Sequence, residues 1–143
     1  MKTLIALVAV LGTTSAFACA NFAGSFTCTI EDDNYTYNVL VEQDGYNFRM
    51  TDDEGTDEFI ADGQRRRLPD DTNMRNAAYV ASCQGQSVVM NMTGEIYDDE
   101  TGQSFPFTAN MNHNLRTRNH VTQTTVTEVL GQTSTTITHC QRN

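Results

Sequence analysis

The sequence predicts an all-β protein, an antiparallel up-and-down meander of eight to ten strands closing into a soluble barrel. Apolar and polar residues alternate with period two through most of the chain beyond residue 21. Turn-forming residues, mostly Gly with Asp or Asn, recur at short and fairly even intervals. No stretch beyond that point keeps a helical period for more than two turns. A meander of neighbouring hairpins leaves two raw edges, and closing on itself removes them.

The N-terminus stands apart from this pattern. Met1 and Lys2 precede an apolar run over residues 3–11, and Ala16-Phe17-Ala18 places small residues where a signal peptidase reads them. This predicts a secretory signal peptide over residues 1–18 and a single domain over 19–143, secreted or periplasmic. A lipid on Cys19 is not expected: Ala16 stands where that signal wants Leu, and an odd number of thiols would remain. No second apolar stretch is long enough to span a bilayer. Lys2 is the only lysine, so residues 19–143 carry eight arginines against eighteen carboxylates, a net charge of −10. That charge disfavours nucleic acid and anionic membrane as partners and favours solubility.

The first strand covers residues 22–30, with Phe22, Gly24, Phe26, Cys28 and Ile30 on one face. Residues 31–34 turn it into the clearest hairpin, residues 35–51, folded at Asp44-Gly45. Its dry face carries Tyr35, Tyr37, Val39 and Val41 with Tyr46, Phe48 and Met50; that loop sets Val41 against Phe48 and Val39 against Met50. An acidic turn over residues 52–55 leads to a weaker strand at 57–61. Asp62-Gly63 reads as another tight hairpin, into residues 64–68, and an irregular loop runs to Asn76. Strands at 77–84 and 87–96 flank Gly85-Gln86, which pairs Tyr79 with Met92, Ala81 with Met90 and Cys83 with Val88. After a turn at 97–102, Phe105, Phe107, Ala109, Met111, His113 and Leu115 share a face, with Pro106 marking a bulge or an edge. A threonine-rich pair, 120–130 and 133–140, folds at Gly131-Gln132 and sets Val126 against Ile137. Thr122, Gln123, Thr124, Thr125, Thr127 and Glu128 break any continuous apolar girdle, so the barrel is expected to be a soluble one and not a membrane barrel.

The stretch Asn21-Phe22-Ala23-Gly24-Ser25-Phe26 resembles the motif that opens lipocalin-like proteins, where a Gly-x-Trp sits at the closed end of the barrel. Phe26 stands at the tryptophan's place. The resemblance implies an up-and-down barrel with an apolar pocket.

Four cysteines in an exported chain predict two disulfides. Cys28 and Cys83 fall on dry faces near the ends of their strands, whereas Cys19 precedes the first strand and Cys140 ends the last. The expected pairs are Cys28–Cys83 and Cys19–Cys140.

Signals for chemistry are sparse. If Arg116-Thr117 is a hairpin loop, His113 faces His120, but His139 lies too far along the ladder to complete a metal site, and neither a metal nor a haem or other cofactor is expected. The acidic turns at 52–58 and 98–102 lack the spaced oxygen ligands and placed glycine of a calcium loop. Arg65-Arg66-Arg67 reads either as a partner for nearby aspartates or as a contact for an acidic ligand. Asn34 and Asn91 begin glycosylation sequons. No catalytic signature is present, and no catalytic residue is assigned.

Two readings remain open. In one, the barrel binds a small apolar molecule in a pocket lined by Phe26, Tyr37, Val39, Phe48, Met50, Tyr79, Met90, Met92, Phe107, Met111 and His113. In the other, the barrel is packed, and its loops bind a protein or cell-envelope partner. An inward His113 favours the first, because a filled apolar core has little use for it.

Overall fold

The computed structural model describes residues 19–143; the expected signal peptide at 1–18 and its cleavage site lie outside the described residues. Ten antiparallel strands form one nearly closed, barrel-shaped sheet: β1 (Gly24–Ile30), β2 (Thr36–Asp44), β3 (Asn47–Thr51), β4 (Thr56–Ile60), β5 (Asp62–Arg67), β6 (Met74–Gln84), β7 (Ser87–Asp98), β8 (Gln103–Thr117), β9 (His120–Val129) and β10 (Gln132–Arg142). No helix occurs among the described residues, and so none is long and apolar enough to cross a membrane.

The sheet order is β4-β3-β2-β1-β10-β9-β8-β7-β6-β5. First and last strands pair, Phe26 opposite Arg142 and Cys28 opposite Cys140. The seam therefore falls in mid-chain, between β4 and β5. Asp62-Gly63 does not make the expected hairpin: β4 pairs with β3 and β5 with β6, across a bulge between Asp62 and Arg65. The Asp62 carboxylate accepts a hydrogen bond from the Gln64 amide, and Gly63 takes φ 81°, so this dipeptide turns the chain from one sheet edge to the other. The seam is bridged where the Ile60 amide donates to the Tyr79 hydroxyl at 3.1 Å. Both edges are charged, Asp57 and Glu58 on β4 and Arg65 to Arg67 on β5, which discourages pairing with a second chain. Of the arginine run, Arg66 pairs with Asp62 at 2.6 Å and Arg67 donates to the Asn76 side chain.

Loop chemistry fixes the registers. The β6–β7 pairing is as expected, Tyr79 opposite Met92 and Ala81 opposite Met90. The β2–β3 loop is Gly45-Tyr46 instead of Asp44-Gly45, so Val41 faces Met50. The β9–β10 loop is Leu130-Gly131, both at positive φ (54° and 72°), and Val126 faces Thr135 and not Ile137. Each is a one-residue slide of the turn, which exchanges partners but keeps every side chain on its face. The β8–β9 hairpin differs in kind. Its loop is Arg118-Asn119, a bulge intervenes between Leu115 and Thr117, and His113 faces Gln123. His120 is thereby turned to the outer surface, where its ring lies 5.7 Å from that of His139.

The disulfides are Cys28–Cys140 and Cys19–Cys83, which corrects the expected pairing. First and last strands do meet antiparallel, but the residue that faces Cys140 is Cys28, with Cα atoms 4.0 Å apart. With Phe26 opposite Arg142 and Cys28 opposite Cys140, Cys19 lies outside the β1–β10 ladder. It reaches instead across the barrel end to Cys83, at the end of β6. Two such bonds fit an oxidising environment.

Candidate functional site

The inward face of the barrel is divided along its length. At one end the chain before β1 folds inward as a plug. Phe22, 5 % exposed, packs edge-on against Phe48 with ring centroids 6.1 Å apart. The Gln43 side chain holds the plug by both ends of its amide: Oε1 accepts from the Phe22 amide at 2.7 Å, and Nε2 donates to the Ala20 carbonyl at 3.0 Å. Arg142 donates to the Ala23 carbonyl at 2.6 Å, and its guanidinium lies 4.9 Å from the centroid of the Phe26 ring. With Val39, Val41, Val88, Val121 and the Cys28–Cys140 bond, these groups leave a void of only about 40 Å³. Such a space holds about one water molecule. This end is packed.

The other end is not. A hollow of about 260 Å³ lies between Met50, Phe59, Leu68, Met74, Tyr79, Met90, Met92 and Met111, with Asp57 and Glu58 beside it on the exposed edge strand. Every methionine of residues 19–143 borders it. The strand register explains the concentration. Met90 lies directly opposite Met111, and Met92 follows Met90 on the same face of β7. Met50, on β3, sits opposite Asp57 of β4 and closes the hollow from the seam side. Phe59 stacks on Phe48, centroids 4.9 Å apart and planes within 6° of parallel, and so roofs the boundary between the two compartments.

His113 stands at that boundary with Gln123, bordering both the small void and the hollow. Burial disfavours its charged form and pulls its pKa down to about 4, while its hydrogen bond with the Gln123 side chain acts weakly in the opposite direction. The imidazole is therefore neutral at any pH near neutrality. In the unfolded chain it titrates near 6.5, so between about 6.5 and 4 the unfolded state binds the proton and the native state does not. Stability is full above that window and falls as the pH drops through it, by at most about 3 kcal/mol. Urea unfolding at pH 7 and pH 4.5 checks this, and His113→Leu is expected to flatten the difference. The carboxyls of Asp62, held down by the Gln64 amide, and of Asp98, held down by the Thr101 hydroxyl, act only below the ordinary carboxylate range.

The residues expected to line one pocket are thus divided among three places. Phe26, Tyr37, Val39 and Phe48 surround the small void, as does Met50, which is shared with the hollow. Tyr79, Met90, Met92 and Met111 line the hollow, and His113 joins the two. Phe107 borders neither. It is buried against Gly94 and Ala77, where an added Cβ on Gly94 would come within 2.8 Å of the Phe107 ring. Sequence reasoning missed Phe59, Leu68, Met74 and Gln123. Phe59 and Leu68 lay in segments read as a hairpin that does not form, and Met74 in a stretch read as irregular. Gln123 had a signal: it is an inward polar residue across from an inward histidine, visible only once the β8–β9 register is right.

Among the described residues, no three His, Cys, Asp or Glu side chains come together to hold a metal ion. His139 meets Glu31 at 3.5 Å on the outer surface, apart from His113. No protein family, curated protein or solved structure matches the chain.

Proposed function

We propose that this protein is an exported barrel, lipocalin-like in its use of the fold, that carries one small apolar or amphipathic molecule in its methionine-lined hollow. The hollow itself carries the reading: about 260 Å³ bounded mainly by thioether and aromatic groups beside an end packed down to about 40 Å³. An apolar cavity of about 150 Å³ stays dry and accepts benzene, so this one suits a molecule of one or two rings, or a short branched chain. Methionine side chains, flexible and polarisable, adapt to such a guest without a fixed shape of their own. Tyr79 and His113 add polar groups able to orient it. Burial of Phe26 at the packed end supports the likeness to a lipocalin-type closed end. The two disulfides support export to an oxidising compartment.

Met90→Trp tests the reading, because an indole at that position occupies the hollow. Uptake of an environment-sensitive apolar dye is expected to be lost in the variant, with little change in its urea midpoint. Native mass spectrometry of the wild type purified from its own host is expected to show a bound small molecule. A wild type that takes no dye and carries nothing, with a variant destabilised by about 1–3 kcal/mol as in an overpacked core, would reject the pocket and leave the loops as the binding surface.

A further inference from the structure

We propose that the back wall of the hollow is also a binding site for one soft monovalent metal cation of the copper(I) class, held by the thioethers of Met90 and Met111 and the imidazole of His113. The site shares the cavity with the apolar guest but does not depend on that reading. Three observations carry it. The first is residue choice. All five methionines of residues 19–143 border one cavity, whereas Leu40 and Leu130, chemically suited to fill it, are 47 % and 67 % exposed. Thioether sulfur is a soft ligand that selects copper(I), and imidazole also suits copper. The second is register. Met90 and Met111 are directly opposed on β7 and β8, and His113 follows Met111 on the same inward face. Directly opposed Cβ atoms stand about 5 Å apart, and the next position on the same face is about 7 Å on, spans that two methionine side chains and an imidazole can close around one ion.

The third is the support behind the histidine. Gln123 stands directly opposite His113 across β8 and β9 and donates through Nε2 to the Thr125 hydroxyl at 3.5 Å, which leaves its Oε1 as the group available to the imidazole. An imidazole held at one nitrogen by a side-chain oxygen presents the other to a metal, the arrangement that orients ligating histidines. The three donors are neutral, and no arginine lines the hollow. Asp57 and Glu58 beside it, within a chain of net charge −10 over residues 19–143, draw cations towards the opening. Calcium and magnesium need several oxygen ligands, whereas Met90, Met111 and His113 offer only sulfur and nitrogen.

Silver(I) is a redox-inert probe of the site and leaves both disulfides intact. Titrated into the oxidised protein bearing ¹³C-methyl methionine, it is expected to bind once per chain and to shift the methyl signals of Met90 and Met111 most. Met90→Leu and Met111→Leu conserve volume, so the fold should persist. Each is expected to weaken silver(I) at least about tenfold, and Gln123→Ala, acting through His113, about tenfold. A hundredfold excess of calcium should not compete. Wild-type protein that binds silver(I) no more tightly than the double leucine variant, or shifts confined to Met74, would overturn the proposal. Dye uptake separates the two readings. Dye without silver(I) rejects the metal site and keeps the apolar pocket; silver(I) without dye does the reverse.

Discussion

Replacing Cys28 and Cys140 together with alanine is expected to lower the unfolding free energy by about 4–5 kcal/mol. The bond closes a sequence separation of 112 residues, and its contribution in the chain-entropy treatment comes from restricting the unfolded chain. The folded state loses little, since β1 and β10 remain joined by their backbone ladder from Phe26–Arg142 to Ile30–Thr138. Domains of this size have only about 5–15 kcal/mol in all, so the variant should unfold at far lower urea while giving a native-like strand spectrum in its absence. Urea titration of the variant beside the wild type measures the difference. A loss below about 1 kcal/mol would mean that the unfolded chain already holds its two ends together.

Phe26→Ala is expected to cost about 3–5 kcal/mol, and Met92→Ala less than about 2 kcal/mol. Both remove an inward apolar side chain, but their surroundings differ. Phe26 is 2 % exposed, lies under the Arg142 guanidinium and borders a void of only about 40 Å³, so its removal opens a new cavity and strips Arg142 of its ring. Met92 is half-buried and already borders about 260 Å³ of unfilled space. Paired urea unfolding curves decide the matter. Equal losses at the two sites would contradict a barrel packed at one end and hollow at the other.

The fold was legible because its signal is periodic and survives small errors. Placing the first loop at Asp44-Gly45 instead of Gly45-Tyr46 gives Val41 the wrong partner, yet leaves Val41, Phe48 and Met50 on the inner face. Faces depend on parity, and a turn that slides by one residue conserves it. His120 shows where this protection ends. The bulge between Leu115 and Thr117 changes parity, so the same local sequence sends His120 outwards and brings Gln123 to His113. Bulges leave little mark on composition. The seam was hidden for a related reason: Asp62-Gly63 has the dipeptide of a tight hairpin, but the strands on either side find better partners in β3 and β6.

The site was legible only in part. That Met90, Met92, Met111 and His113 point inward follows from alternation along β7 and β8. That Phe26 and Phe48 lie at a filled end, apart from them, does not, because depth along a barrel is set by the plug. The plug depends on Gln43 bonding to both Ala20 and Phe22, a long-range contact with no local signature. The disulfides failed on the same point. Cys28 and Cys140 could be matched only by knowing the β1–β10 register, which sets Cys28 and not Cys19 against Cys140.

The hollow as a ligand site is tested most directly by the methyl spectrum of ¹³C-methyl-methionine protein titrated with p-xylene. Saturable shifts of Met50, Met90, Met92 and Met111 together, accompanied by a melting temperature that rises with p-xylene concentration and by the loss of both effects in Met90→Trp, are the expected result. Methyl signals that stay in place up to the solubility limit of p-xylene, with an unchanged melting temperature, would contradict it.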